Sequence, residues 1–380
     1  MKQKFISLGL ALAMLLGIAG CNITTPATVG SIGGVEIPAG IYLLAQLNAY
    51  NTAASLVDFA TGESADDINV VLKAEVTGTI NDEEVTTDGA DYISRLTMSS
   101  LEYYAAVETL FDSLGATLED AATSEAADSA SSMWESQGDL YTANGISQDS
   151  LEAYLLVDQK AQACLDALYG PDGQQPVTED EYRDFIENDC RFIESVSFPL
   201  IDYSTYNMVS TGDTAYTEIQ HLAAQCANDL NETMQEINPL TELTVLQSAA
   251  AYYVPQAMEA LGSTMESSQA SYYASAQLYL PSDLEGYSDG NGGNTLTDAL
   301  DADPENFVTV NMGTALVVAR AVDPLSVYDV DTFTSSYDLL TAMKQQDLLD
   351  QLYSDGATME HALDESAMNT YKVQNIKHSV

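Results

Sequence analysis

Residues 191–200 read Arg191-Phe192-Ile193-Glu194-Ser195-Val196-Ser197-Phe198-Pro199-Leu200, and the period of the chain changes here. Phe192, Glu194, Val196, Phe198 and Leu200 interleave with their neighbours in the two-residue alternation of a β-strand. Pro199 has no N–H to give to a ladder, which predicts an edge or distorted position. On both sides the spacing is helical. Upstream, Ser147 can cap a helix whose buried stripe is Leu151, Tyr154, Leu155, Ala161, Leu165 and Leu168, and Gly170-Pro171 ends it. Thr178-Glu179-Asp180-Glu181 is a capping box opening a helix to about Asp189. Downstream, Ile219, Leu222, Ala223, Cys226, Leu230 and Met234 mark a helix over about 216–237, and 241–280 is helix-prone with weaker phase. Two strands follow around the turn Asn311-Met312-Gly313, then a long helix over 331–352, a shorter one over 359–369 and an alternating closing strand at 371–376.

Near the N-terminus, Val29-Gly30-Ser31-Ile32-Gly33-Gly34-Val35-Glu36-Ile37 places apolar residues around a Gly-Gly pair, the pattern of a two-residue hairpin. Pro38 then suits the first turn of a helix carrying Ile41, Leu44, Ala45 and Leu47. Val76-Thr77-Gly78-Thr79-Ile80, a turn over 81–84 and Val85 suggest a second hairpin, followed by a helix over about 91–114 and an Ala, Ser, Asp and Glu rich helical stretch over 118–137. The order is helix-rich, then an insert with strands, then helix-rich again. It predicts a mainly helical α+β protein in which a small α+β module interrupts a helical domain.

The chain has 380 residues, 46% apolar and 18% charged, with 11 Lys and Arg against 58 Asp and Glu and a formal charge of −47. That apolar content excludes disorder and collagen, and the length allows two or three cores. The charge opposes binding to phosphate backbones or anionic lipid, so no nucleic acid is expected as a partner. Basic peptides and divalent cations are the charged partners such a surface would attract.

Met1-Lys2-Gln3-Lys4 is basic, residues 5–18 form an apolar run, and Ile18-Ala19-Gly20-Cys21 sets small residues before a thiol. The pattern resembles a bacterial lipoprotein signal, which implies that residues 1–20 are removed, that Cys21 takes a diacylglyceryl thioether, and that 21–27 is a tether holding the protein at a cell membrane, facing away from the cytoplasm; an ordinary secretory signal with a chance cysteine is the alternative. Cys164, Cys190 and Cys226 remain, in no CxxC pair and beside no histidine, and read as buried small hydrophobes. One disulfide among them is also compatible with the sequence.

With these elements in place, four passages together resemble the PrsA and SurA family of extracytoplasmic foldases. They are Val29 to Ile37 before a Tyr-containing helix, Gly145-Ile146-Ser147 before Leu151, Val177-Thr178-Glu179-Asp180-Glu181-Tyr182 before a strand, and the closing Asn369-Thr370-Tyr371 to Ile376. The resemblance implies a peptide-binding helical domain in two parts, 28–190 and 326–380, with a parvulin-type peptidyl-prolyl isomerase domain at 191–325. An active parvulin resembles His-Ile-Leu on its first strand and Gly-x-His-Ile on its last. This chain has Val196-Ser197-Phe198-Pro199 and Gly313-Thr314-Ala315-Leu316, so Ser197 and Ala315 stand where the histidines are expected. His221, His361 and His378 match neither position. Rotation about a prolyl bond crosses a barrier of about 20 kcal/mol without a nucleophile, so the missing imidazoles weaken the case for isomerase activity without closing it, and the expectation is a degenerate isomerase domain retained as scaffold or client surface.

No GxSxG, HExxH, P-loop or GxGxxG occurs, and no cofactor or metal set is expected. Acidic pairs such as Asp66-Asp67 and Glu83-Glu84 are solvated faces in so acidic a chain. Tyrosine is abundant, 22 against 8 Phe and 1 Trp, with doublets at Tyr103-Tyr104, Tyr252-Tyr253 and Tyr272-Tyr273. These six are the candidate client-binding residues. The expected activity is a lipid-anchored chaperone that holds unfolded or newly exported polypeptide in an acidic, Tyr-lined cleft. An active prolyl isomerase and a surface ligand-binding lipoprotein are the alternatives.

Overall fold

The computed structural model describes residues 26–62, 67–81, 83–202, 205–234, 242–287 and 295–378. The signal at 1–20, Cys21 and the loop at 289–294 lie outside them. In chain order the elements are β1 (Thr28–Ile32), β2 (Val35–Pro38), α1 (Ala39–Thr61), α2 (Ile68–Lys73), β3 (Glu75–Ile80), β4 (Glu83–Asp88), α3 (Gly89–Leu114), α4 (Asp120–Ala143), α5 (Gln148–Tyr169) and α6 (Glu179–Asn188). There follow β5 (Arg191–Pro199), β6 (Ile201–Asp202), β7 (Asn207–Met208), α7 (Thr214–Met234), α8 (Glu242–Ala260), α9 (Ser267–Ala270), β8 (Ala274–Tyr279), α10 (Pro281–Glu285) and α11 (Thr295–Ala302). The chain closes with β9 (Val308–Asn311), β10 (Ala315–Val322), α12 (Pro324–Val327), α13 (Val330–Ser336), α14 (Leu339–Thr358), β11 (His361–Leu363) and α15 (Glu365–Met368). The protein is therefore mainly helical, with small antiparallel sheets.

Two compact units divide the chain: unit 1 takes positions 1–110, 118–159 and 353–380, and unit 2 takes 111–117 and 160–352. In unit 1 the three strands run in the order β11-β1-β2, all antiparallel. Gly33 and Gly34 turn the hairpin with φ of 58° and 85°, the left-handed region that glycine enters without a Cβ clash. Gly30, at φ 110°, lies so close to β11 that a Cβ there would sit 2.4 Å from the carbonyl oxygen of Ala362. α1 is buried continuously from Ile41 to Leu47, where it packs into the unit 1 core. Val29, Ile32, Ile37, Tyr92, Ile93, Leu101 and Leu151 complete this core. Each such aliphatic side chain contributes roughly 1.5–3 kcal/mol by leaving water. The C-terminal segment is tied down by reciprocal bonds between Asn144 and the backbone of Lys377, both 2.8 Å, and by the Tyr371 hydroxyl donating to the Pro26 carbonyl at 2.7 Å.

Unit 2 is built on a four-stranded antiparallel sheet in the order β8-β5-β10-β9. One face carries Val196, Phe198, Leu316 and Val318 against Ile219, Cys226 and Leu230 of α7 and Leu246, Val254 and Met258 of α8. Further along that face Phe192 and Leu278 pack with Ile186, Cys190, Val330, Phe333 and Leu339. Ile193, Val310 and Ala319 point to the other face, where Leu296 and Leu300 of α11 cover them.

Several expectations are corrected. The divisions at 190/191 and 325/326 fall inside unit 2, because residues on both sides of them join the cluster around Phe192. β5 is an inner strand, not an edge; its Pro199 lies past Val196, the last residue paired with β8, so the missing N–H breaks no bond on that side. The helix expected over 331–352 breaks at Tyr337, after which Asp338 accepts the Thr341 amide at 3.1 Å and starts α14. The closing strand is β11, not 371–376, which holds a turn of 3-10 helix at Val373–Asn375. The helix expected over 359–369 is reduced to α15 after β11. Within the helix-prone stretch 241–280, residues Ala274–Tyr279 form β8. No disulfide joins Cys164, Cys190 and Cys226, which are buried thiols.

Candidate functional site: an uncharged cleft on the unit 2 sheet

The second face of the unit 2 sheet is only partly covered by α11. Strand register sets what remains open. Ser195 stands opposite Ser275 on β8 and Ala319 on β10, and Ser197 stands opposite Val317. Because opposed residues share a face, these hydroxyls and small apolar groups form one patch. A cleft of about 250 Å³ opens over it, lined by Ile193, Ser195, Ser197, Tyr272, Tyr273, Ser275, Tyr279, Tyr287, Leu296, Met312 and Val317. Tyr272 is 88% exposed, at the mouth, while Ser195 is 8% exposed, at the floor. Tyr279 and Tyr287 lie with ring centroids 6.5 Å apart, and burial, reinforced by the Tyr287 ring beside it, pushes the Tyr279 hydroxyl above its ordinary pKa. The cleft thus offers hydroxyls and ring edges over an aliphatic floor.

Among the described residues no charged side chain lines this cleft, which corrects the expected acidic lining. No imidazole lines it either: His221 lies on α7, and Ser197 and Ala315 occupy the positions compared with parvulin histidines. Ser197 lines the cleft, but Ala315, opposite Pro199 on the same face, does not. A serine without a base to take its proton is a poor nucleophile. The two remaining unit 2 thiols with resolved shifts, Cys190 and Cys226, are buried and pushed up to about 12 by desolvation, so neither supplies a thiolate. Among the described residues no group of three His, Cys, Asp or Glu is placed to hold a metal ion. Polar binding and shape selection are what this geometry can do.

The six candidate tyrosines fall in three places. Tyr272 and Tyr273 line the sheet cleft. Tyr252 and Tyr253 line a separate hollow of about 440 Å³ between α7 and α8, where their rings meet edge to face at 4.8 Å. There the buried Tyr253 hydroxyl donates to Asp229, and desolvation together with that carboxylate raises its pKa. Tyr103 and Tyr104 are on α3: Tyr103 stacks on Tyr353 at 5.1 Å, and Tyr104 packs against the unit 1 core, its hydroxyl pushed up to about 12 by desolvation and the nearby Glu108 and Glu36. Sequence reasoning missed Ser195, Ser275, Tyr279, Tyr287 and Met312. The signal for Ser275 and Tyr279 was an alternation, Ser275-Gln277-Tyr279, hidden inside a helix-prone region.

No protein-family model matches the chain, and no curated protein matches it. Among solved structures, the foldase protein PrsA from Streptococcus pneumoniae aligns over 79% of this chain and 100% of its own at 8% identity, with a TM-score of 0.35. That likeness is too slight to carry an argument about fold or activity.

Proposed function

We propose that this protein holds unfolded or newly exported polypeptide noncovalently, with the uncharged cleft of unit 2 as a gripping surface. The observation that carries the reading is the lining itself. A hollow of about 250 Å³ takes a side chain or two, and its serine and tyrosine hydroxyls can meet main-chain groups while Ile193, Val317 and Leu296 meet apolar atoms. Such mixed contacts suit chains of many sequences. Among the described residues its lining holds no imidazole, thiolate or charged group, which favours holding over covalent chemistry.

The interruption of unit 1 in sequence by unit 2 supports a helical body carrying an inserted, degenerate parvulin-like module. Ser197 and Ala315 in place of histidines support binding without isomerase catalysis. The lipobox ending at Cys21 supports a lipid anchor at a cell membrane, outside the cytoplasm. The formal charge of −47 keeps the body away from anionic lipid and draws basic client segments and divalent cations toward its surface.

Suppression of aggregation of a reduced model protein tests the reading. The full chain is expected to suppress it at several-fold excess, and Tyr272→Ala, a change at an exposed ring, to weaken the effect. No suppression by the unaltered chain would overturn the reading, and a catalysed rate in a proline-peptide assay would replace it with isomerase activity.

A further inference from the structure

Unit 1 contains a hollow of about 730 Å³ between α1, α3 and the C-terminal segment. Ile93, Met98, Met368 and Val373 give it an apolar lining. Gln46 also lines it, at only 6% exposure. Its Nε2 donates to the Tyr42 hydroxyl at 3.0 Å, while its Oε1 has no hydrogen-bond partner. Turning the amide over would exchange which end is left without one, since Tyr42 would then donate to the oxygen. A buried amide half-satisfied by its own protein is a place for a ligand's polar group.

The rest of the lining says what kind of ligand. Lys372, Asn369 and Gln374 are exposed, and their side-chain donors meet no acceptor among the described residues. Lys372 is one of 11 Lys and Arg in a chain with 58 acids, yet among the described residues it makes no ion pair, not even with Glu365, the one carboxylate they place in the same lining. Donors at the rim, apolar atoms within and an amide at the wall complement an apolar molecule that ends in a carboxylate and carries a peptide group. We infer that this hollow takes the C-terminal end of an extended polypeptide with apolar last residues. The α-carboxylate meets Lys372 and the neighbouring amides, the side chains meet Met98, Met368 and Val373, and the last peptide group meets Gln46. The volume admits two or three residues. The inference rests on the proposed function only in taking polypeptide as the ligand; its residues are all in unit 1.

Calorimetry on the full chain with acetyl-Leu-Leu, its C-terminal amide and octanoate tests it. The free acid is expected to bind about tenfold more tightly than the amide, Lys372→Ala to abolish that preference, and Gln46→Leu, in protein shown to melt normally, to weaken the acid about tenfold. Equal binding of acid and amide, no binding of either, or an unchanged preference in Lys372→Ala would overturn it. Octanoate binding as tightly as acetyl-Leu-Leu would overturn polypeptide as the source of the carboxylate. Tyr272→Ala is expected to leave this binding unchanged, so failure here is told apart from failure of the unit 2 cleft.

Discussion

Glu194 and Arg320 stand directly opposite each other on β5 and β10, and the carboxylate is wholly buried while the guanidinium side chain is 16% exposed. Oε2 of Glu194 accepts from Nη2 at 2.6 Å and Nε at 3.2 Å, and the guanidinium lies 5.0 Å from the Phe307 ring centroid. A slip of one residue between the strands would send one partner to the other face, so the pair fixes the register that aligns Ser195, Ser197 and Val317 beneath the cleft. Glu194 Oε1 has no protein partner, a cost the fold bears for that alignment.

Removing one partner strands the other. Glu194→Ala is expected to destabilise the protein by about 3–5 kcal/mol, whereas Glu194→Met with Arg320→Met recovers most of the loss. Urea unfolding of both variants checks this, and equal losses would contradict the ion-pair account.

Gly30 combines a φ of 110° with backbone contact to β11. Gly30→Ala is expected to cost about 1–3 kcal/mol or more through strain and separation of the strands. Gly34→Ala, where nothing lies within 4 Å of the added Cβ, is expected to cost less. Thermal melts of the two variants give the ranking.

Glu102, 14% exposed, faces His361 at 3.3 Å, and burial raises its carboxyl pKa, partly offset by that imidazole. A group whose folded pKa is raised destabilises the fold while it is ionised, and that cost is relieved as pH falls through the folded pKa. Glu102→Gln is therefore expected to raise the melting temperature at pH 8. The gain should shrink toward pH 5, as the raised carboxyl of Glu102 takes up its proton and the cost of its buried charge disappears. Melting curves across this range check it; a gain that grows on acidification would contradict the sign.

Cys190 and Cys226 are buried, with pKa values near 12 from desolvation. Neither is expected to react with a thiol reagent at pH 8 until the protein unfolds, whereas both should react in denaturant. Mass spectrometry of the labelled protein reads this directly; rapid native labelling would show that the cores around Phe192 and Ile219 open.

Local chemistry was legible where a few residues decide the outcome. Gly33-Gly34 made the hairpin, Thr178 and Glu181 made a complete capping box, and Asn311-Met312-Gly313 turned β9 into β10. The errors fall where pairing across the chain overrides local preference. Residues 274–279 carry alanine and serine that favour no strand by themselves, and become β8 because β5 offers them a ladder. His361–Leu363 is too short to show a period and is held by pairing with Gly30 to Ile32. Conversely, 371–376 alternates like a strand but forms no ladder among the described residues and holds a 3-10 turn at Val373–Asn375. The site followed the same rule: Ser197, Tyr272 and Tyr273 were singled out by resemblance and composition, but only the folded sheet shows that they line one cleft while Tyr103, Tyr104, Tyr252 and Tyr253 do not.

The central claim is that loose polypeptide settles on this cleft, and hydrogen exchange of the full chain with and without a reduced, unfolded client tests it most directly. The account predicts slower exchange at residues 272–279 and 312–317 when client is present, an effect lost in Tyr272→Ala. Client binding that leaves both segments exchanging at their free rates would contradict it.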